Sequence, residues 1–352
     1  VLTLKILPDF GAYSKGERKE RIAKSPNQIN GIFQNPVPTT VQVENIDKWK
    51  LLRELFRRNT GRVPSHTIPV RQISPEKELI RKNDLKVTWL GHSTLLLEMN
   101  GFVVLTDPVF SHRTSPFAFI GTKHFKFSHT FSVTDLPPVD LVLISHDHYD
   151  HLDYQTILRL KNKVPHFVMP LGVGAHLERW GVPPGKIKEL DWWEDLIINT
   201  ELKLTATPAR HFSARGLTDR FHTLWASFVL EWNGKTIFFG GDSGYHPLFK
   251  TIGERFGPFD LCMLECGQFN ENWPFIHSMP EETAQACTDL DGKILLPVHW
   301  GKFSLSLHHW TEPIERIIKA SEKHNYKLVT PQIGESFFAG SDFPKLKWWK
   351  ND

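Results

Sequence analysis

The sequence predicts an α/β fold in which two β-sheets pack face to face with helices outside, preceded by an N-terminal extension. Three observations point there. Short apolar runs of strand length alternate with helical patterns through most of the chain. Two hairpin signals occur, each built on Asn-Gly. A run of metal-ligating residues, His146-Asp147-His148-Tyr149-Asp150-His151, follows directly on the apolar segment Val139–Ile144, so it stands at a strand exit, where rigid backbone aims several donors at one point.

The frame is set by composition. With 352 residues, 40% hydrophobic and 23% charged, the chain is an ordinary folded one with material for a large domain and an extension; residues 1–84 read as the extension and 85–352 as the main domain. A net charge of +3 and a pI near 8.6 give too weak a field to argue for nucleic acid, and no such partner is expected. Cys262, Cys266 and Cys287 are too few and too closely grouped for a disulfide framework, which points to a reducing compartment and a cytoplasmic location. They also offer no second C-x-x-C for a zinc ribbon. No apolar stretch approaches the ~20 residues of a membrane-spanning helix. The start, Val1–Phe10, lacks a long apolar core after a basic segment.

Taken in order, Gly11–Pro38 is polar and turn-rich. Ile46–Arg58 has helical periodicity, with Ile46, Trp49, Leu52, Leu55 and Phe56 on one face and Lys48, Lys50, Arg53, Arg57 and Arg58 around it. This basic amphipathic helix suits either an anionic membrane surface or packing on its own domain. From Lys86 the pattern turns to strands: Val87–Leu90, then Leu95–Met99 and Phe102–Thr106 around Asn100-Gly101. A second hairpin, Ala226–Trp232 and Lys235–Phe239 around Asn233-Gly234, echoes the first, and each second strand runs toward an aspartate, Asp107 or Asp242. We read this as a weak internal duplication. Further strands are expected at Leu141–Ser145, Phe167–Pro170, Leu202–Thr205, Leu261–Leu264 and Ile294–Val298. Helices are expected at Tyr154–Lys161, Gly174–Trp180, Pro280–Asp289 and Pro313–His324.

Two metals need about seven or eight ligand positions, more than the first cluster supplies. Three later residues at strand or loop ends are candidates: His211 in Ala-Arg-His-Phe, Asp242 in Gly-Gly-Asp-Ser-Gly, and His299 in Pro-Val-His-Trp-Gly. Their order matters. The chain resembles the metallo-β-lactamase superfamily, in which H-x-H-x-D-H is followed by a histidine, an aspartate and a histidine. More narrowly it is similar to the N-acyl-phosphatidylethanolamine phospholipase D family, through Thr88-Trp89-Leu90-Gly91-His92, Leu105-Thr106-Asp107-Pro108, Glu189-Leu190-Asp191-Trp192-Trp193, Arg255-Phe256-Gly257-Pro258-Phe259-Asp260 and His299-Trp300-Gly301.

The resemblance implies a four-layer αββα metallo-β-lactamase sandwich with two Zn²⁺, although iron or manganese also suits such nitrogen and oxygen donors. One metal would be held by His146, His148 and His211, the other by Asp150, His151 and His299. Asp242 would bridge both, with a hydroxide. Four positive charges, less two aspartates and the hydroxide, leave one, which favours an anionic group such as a phosphodiester. The implied activity is phospholipase D-type hydrolysis of an N-acyl-phosphatidylethanolamine-like lipid to N-acylethanolamine and phosphatidic acid. Asp150, Asp242 and His277 are its catalytic candidates, His277 as proton donor or phosphoryl ligand. A soluble hydrolase of a lactone or small phosphodiester is the alternative, and a non-catalytic binding protein the third reading.

Around these residues, Asp107 is placed to orient a ligand imidazole; His92 is either a similar partner or a satisfied strand-end histidine. Tyr149 and Asp153 are expected to orient the loop. The segment Phe110–Phe131 mixes aromatics with cations and suits an acyl-binding lid, a peripheral membrane contact, or a loop across the core. The stretch Leu264–Asn270 is more acidic than in the lipid enzymes; its Glu265 suits a substrate amine or hydroxyl, or backbone donors.

Overall fold

A computed structural model describes residues 7–43, 61–76, 80–81, 83–117, 119–341, 343–344 and 346–350, with Trp49 and Arg53. Apart from those two residues, the amphipathic stretch expected over Ile46–Arg58 lies outside the described residues. A short helix α1 (Gly16–Lys24) and a ribbon of β1 (Gln28–Ile29) and β2 (Ile32–Phe33) come first. Strands β3 (Lys86–Trp89), β4 (Leu95–Met99) and β5 (Phe102–Thr106) form a meander. A small hairpin, β6 (Arg113–Thr114) and β7 (Thr122–Lys123), leads to β8 (Leu141–Leu143), α2 (Tyr154–Leu160), β9 (His166–Pro170), α3 (Gly174–Arg179) and β10 (Ile187–Leu190). The remainder runs β11 (Asp195–Ile197), β12 (Leu202–Thr207), β13 (Ser227–Trp232), β14 (Lys235–Phe239), α4 (Leu248–Phe256), β15 (Leu261–Glu265), α5 (Pro280–Asp289), β16 (Ile294–Val298), α6 (Glu312–Ser321), β17 (Lys327–Leu328) and β18 (Ser336–Phe338).

These strands make two seven-stranded sheets, ordered β18-β3-β4-β5-β8-β9-β10 and β11-β12-β13-β14-β15-β16-β17. Both have the same grammar. The first three pairings in each are antiparallel and the last three parallel. Two of the antiparallel pairs, β4–β5 and β13–β14, are closed by tight turns: Asn100 and Gly101 adopt φ 52° and 75°, Asn233 and Gly234 φ 49° and 80°, the left-handed pair that matches strand twist. Parallel neighbours need crossovers, and an α-helix lies between each pair except β5 and β8, which the long segment carrying the β6–β7 hairpin connects. The echo between the two hairpins is therefore one of whole sheets.

The sheets face each other. Phe102 of β5 meets Trp232 of β13 at a ring distance of 6.0 Å, and one hydrophobic core includes residues of both. Strands β3, β4, β15 and β16 are buried at every position, as strands covered on both faces must be. Helix α6 turns Ile314 and Ile317 inward. From the extension, Ile22, Phe33 and Ile68 join the core, and Arg18 of α1 pairs with Glu178 and Glu189 at 2.7 and 2.5 Å. At the other end Trp348 stacks on Trp300 at 5.1 Å, which stacks on Trp89 at 5.4 Å.

Several elements differ from expectation. The first strand is Lys86–Trp89 rather than Val87–Leu90, because Leu90 already donates to Thr94 O in the turn. The last helix ends at Ser321, not His324. Gly11–Pro38 contains α1 and the β1–β2 ribbon, and α4 and the outer strands β10, β11, β17 and β18 were not anticipated. Among the described residues no helix is long and apolar enough to cross a membrane.

Candidate metal centre

The chain delivers its chemistry at the ends of neighbouring strands. Asp107 follows β5, the cluster 146–151 follows β8, His211 follows β12, Asp242 follows β14, Glu265 ends β15 and His299 follows β16. Asp107, His92 and His299 hold φ of 33°, 56° and 63°, the left-handed region that non-glycine residues avoid unless the surroundings impose it. Gly241 is required beside Asp242: a Cβ there would lie 2.6 Å from Ser145 Cβ.

Outer partners fix the ring orientations. Asp107 accepts from Ser145 N and Oγ at 2.7 and 2.6 Å and from His151 Nδ1 at 2.6 Å. Since Ser145 Oγ gives its hydrogen to Asp107, it accepts from His146 Nδ1 at 2.9 Å. His211 Nδ1 donates to Ile276 O at 2.7 Å. The Nε2 atoms of His146 and His211 are thereby left as lone-pair donors. Both face His148 Nδ1, at 2.9 and 3.2 Å. One nitrogen cannot donate to both, so three imidazoles converge in an arrangement that a cation between them would satisfy.

A second set lies beside the first. The ligand atoms of Asp150, His151, His299 and His92 all lie within 4.8 Å of one another, as do those of His146, His148 and His211. Asp242 spans the two, with Oδ2 3.8 Å from His146 and His211 Nε2 and 3.1 Å from His151 Nε2, and Oδ1 3.1 Å from His299 Nδ1. His92 Nδ1, His151 Nε2, His299 Nε2 and Asp242 Oδ1 are buried without a hydrogen-bond partner. Orphaned polar atoms of this kind need an explanation, and metal binding supplies one. The residues fit cations.

Charge follows geometry. Burial, then the neighbouring imidazoles, hold His146, His211 and His299 well below the ordinary histidine range, so they are neutral, the form that ligates. Burial pushes Asp242 up to about 7, opposed by His151. Burial acts the same way on Asp150, yet His151 and His92 outweigh it and hold this carboxyl well below its usual range.

His277 stands on the wall of the same pocket, its ring 5.1 Å from His211 and stacked 5.3 Å from His299. Its Nδ1 is tied to Glu265 Oε2 at 2.7 Å, while Glu265 Oε1 accepts from Ser243 N at 3.2 Å and Ser278 N at 2.9 Å. Of the two expectations for Glu265, the structure shows the second, since it accepts backbone donors, and adds that it anchors His277. His92 Nε2 meets Asp150 Oδ2 at 2.8 Å, and its ring lies 4.0 Å from that of His299. Tyr149 Oη donates to Arg215 O, and Asp153 caps α2 while accepting from Ser111. Sequence reasoning overlooked Arg215, which ties the cluster from behind by donating to Asp147 O and Leu152 O at 2.6 and 2.8 Å; nothing in its local sequence marks it. The pocket holds about 230 Å³, and its lining includes the apolar side chains Phe212, Trp273, Ile276 and Leu305 together with Arg220.

A β-lactamase superfamily domain matches residues 103–300, the span from β5 to the residue after His299. The chain belongs to the metallo-β-lactamase superfamily. Among relatives of this superfamily member, an uncharacterised Mycobacterium tuberculosis protein is 41% identical over 333 residues, covering 93% of this chain and 88% of that one. N-acyl-phosphatidylethanolamine-hydrolyzing phospholipase D 1 of Caenorhabditis elegans is 31% identical over 335 residues, covering 88% and 93%. The mitochondrial enzyme of the same description from Saccharomyces cerevisiae is 31% identical, covering 89% and 76%. In fold, the chain is similar to Igni18, a metallo hydrolase of Ignicoccus hospitalis, with TM-score 0.57 at 20% identity over 74% of this chain and all of that one. The superfamily member described here is a metal-dependent hydrolase with a histidine–aspartate cluster suited to metal ions.

Proposed function

We propose that the chain is a zinc-dependent phosphodiesterase of phospholipase D type, acting on N-acyl-phosphatidylethanolamine-like lipids. Water adds OH to phosphorus and a proton to the departing oxygen, releasing phosphatidic acid and an N-acylethanolamine. The observation that carries the reading is the meeting of two candidate ligand sets with Asp242 and His277 at one pocket whose lining is partly apolar. The names of the nematode and yeast relatives support the substrate class.

His146, His148 and His211 would hold one Zn²⁺, Asp150, His151 and His299 the other, and Asp242 both. When bound, the two cations supply an acidified water and positive charge for the phosphoryl oxygens. The protein does the rest. Asp107 keeps His151 in one tautomer, Glu265 holds His277 so that its other ring nitrogen is available to the phosphoryl group or the leaving oxygen, and Arg220, stacked 4.8 Å over Phe212, adds a cation at the pocket wall. Iron and manganese accept the same donors; elemental analysis of purified protein distinguishes them.

A second reading, a soluble hydrolase of a lactone or small phosphodiester, is favoured by the modest 230 Å³ of the pocket and by the buried Glu265. The deciding experiment offers zinc-loaded protein N-acylated phosphatidylethanolamine in vesicles, a soluble phosphodiester and a lactone, with Asp242→Asn as control. Asp242-dependent release of N-acylethanolamine is expected. Turnover of only the soluble substrates would move the protein to the second reading.

A further inference from the structure

Between Asp107 and Asp135 the chain carries Arg113, Lys123 and Lys126 and no carboxylate. The β6–β7 hairpin lies in this stretch, and its tip presents two of the most exposed large apolar side chains among the described residues, Phe119 at 74% and Ile120 at 58%. Such exposure is costly in water unless something covers it. The tip is not loosely attached. Phe119 lies 5.8 Å from Phe117, which meets Phe10 of the extension at 5.9 Å, and Arg113 Nη1 donates to Gly121 O across the hairpin at 2.5 Å.

The root is fastened to the metal centre on both sides. Ser111 N and Oγ donate to Asp153, two residues beyond His151, and Phe125 N donates to Lys302 O, three residues beyond His299. A base fastened beside the pocket thus carries an apolar point in a stretch whose charged side chains, Arg113, Lys123 and Lys126, are all positive.

We propose that this hairpin is a docking point for an anionic lipid bilayer, with Phe119 and Ile120 entering the headgroup boundary and Lys123 and Lys126 meeting lipid phosphates. Charge complementarity favours lipid. Size does too: two side chains fall far short of the roughly 1,000 Å² that a stable protein interface buries, yet a small apolar anchor with basic neighbours suffices for reversible attachment to a charged membrane. The proposal deepens the phospholipase reading, because the bilayer would be the source of substrate, but attachment itself requires no turnover.

The test is sedimentation of the full chain with vesicles of phosphatidylcholine alone and of phosphatidylcholine mixed equally with phosphatidylglycerol. Binding is expected only with the anionic lipid and should weaken as salt rises. Phe119→Ser with Ile120→Ser should reduce partitioning at least about tenfold, and Lys123→Gln with Lys126→Gln should reduce it on anionic vesicles, with melting temperature and metal content of both variants unchanged. Absence of binding to anionic vesicles, or binding indifferent to both double substitutions, would overturn the proposal, as would a concentration-dependent dimer that the Phe119/Ile120 pair abolishes. Vesicle binding without N-acylethanolamine release would leave the docking point standing and remove the phospholipase reading.

Discussion

At the scale of single residues, the site separates groups that would face a cation from groups that would aim them, and the two kinds should fail differently. Asp107 touches His151 and Ser145 only from behind, so Asp107→Ala should lower metal affinity about 10–100-fold; titration with zinc, read by elemental analysis, checks it, and unchanged occupancy and activity would remove Asp107 from this role. Glu265 acts elsewhere. Loss of its bond to His277 in Glu265→Gln should leave metal content intact while slowing hydrolysis of alkyl phosphodiesters by about tenfold or more. Esters with a good leaving group, such as nitrophenyl, should be much less affected, whereas equal losses on both would reduce Glu265 to a structural prop.

Lys302 gives a prediction about stability. Burial pushes its ammonium down to about 8, below its ordinary 10.5, and it donates to Val109 O at 2.7 Å. A base whose folded pKa is depressed costs stability most fully below that pKa, and the cost fades as pH rises from 8 toward 10.5. In metal-free protein, Lys302→Met should therefore be stabilising by roughly 1–3 kcal/mol at pH 7 and near neutral by pH 10. Urea unfolding at the two pH values reads the difference; a gain independent of pH would mean that packing, not charge, is responsible.

At the scale of elements, the residues that were legible in the sequence are those whose environment dictates their type. Strands such as Leu95–Met99 and Ile294–Val298 are buried on both faces, so they read as unbroken apolar runs with the right bounds. Ile187-Lys188-Glu189-Leu190 and Asp195-Leu196-Ile197 sit at or next to sheet edges, half in water; their strand character comes from a neighbour's hydrogen bonds rather than their own pattern. The site divides in the same way. Side chains that could ligate a metal announce themselves because few residue types can do so, and the structure brings those candidates together. The pairing of His92 with Asp150, 58 positions apart, leaves no local trace. The C-terminal turn illustrates a load that sequence does not reveal: Trp348 is fully buried against Trp300 and Trp89, so Trp348→Ala should cost about 3–5 kcal/mol, measurable as a lowered urea midpoint with unchanged denaturant slope.

For the molecule as a whole, the repeated sheet puts two aspartates in equivalent places, Asp107 after β5 and Asp242 after β14, and gives them different work, one behind a ligand and one between the ligand sets. Metal removal by a chelator should lower the melting temperature, because an ion bound only by the folded chain stabilises it by mass action; an unchanged melting temperature would argue that the sites are weak or empty under those conditions.

The seam between the sheets carries a mechanical meaning as well. His146, His148, Asp150 and His151 come from the first sheet's loops, while His211, Asp242 and His299 come from the second's. Neither half owns a complete cradle, so an ion held here works as a clasp across two slabs, and its affinity becomes a gauge of how tightly they are shut. Anything that pries the slabs apart, even far from the chemistry, should register first as a leak of metal and only later as a loss of secondary structure.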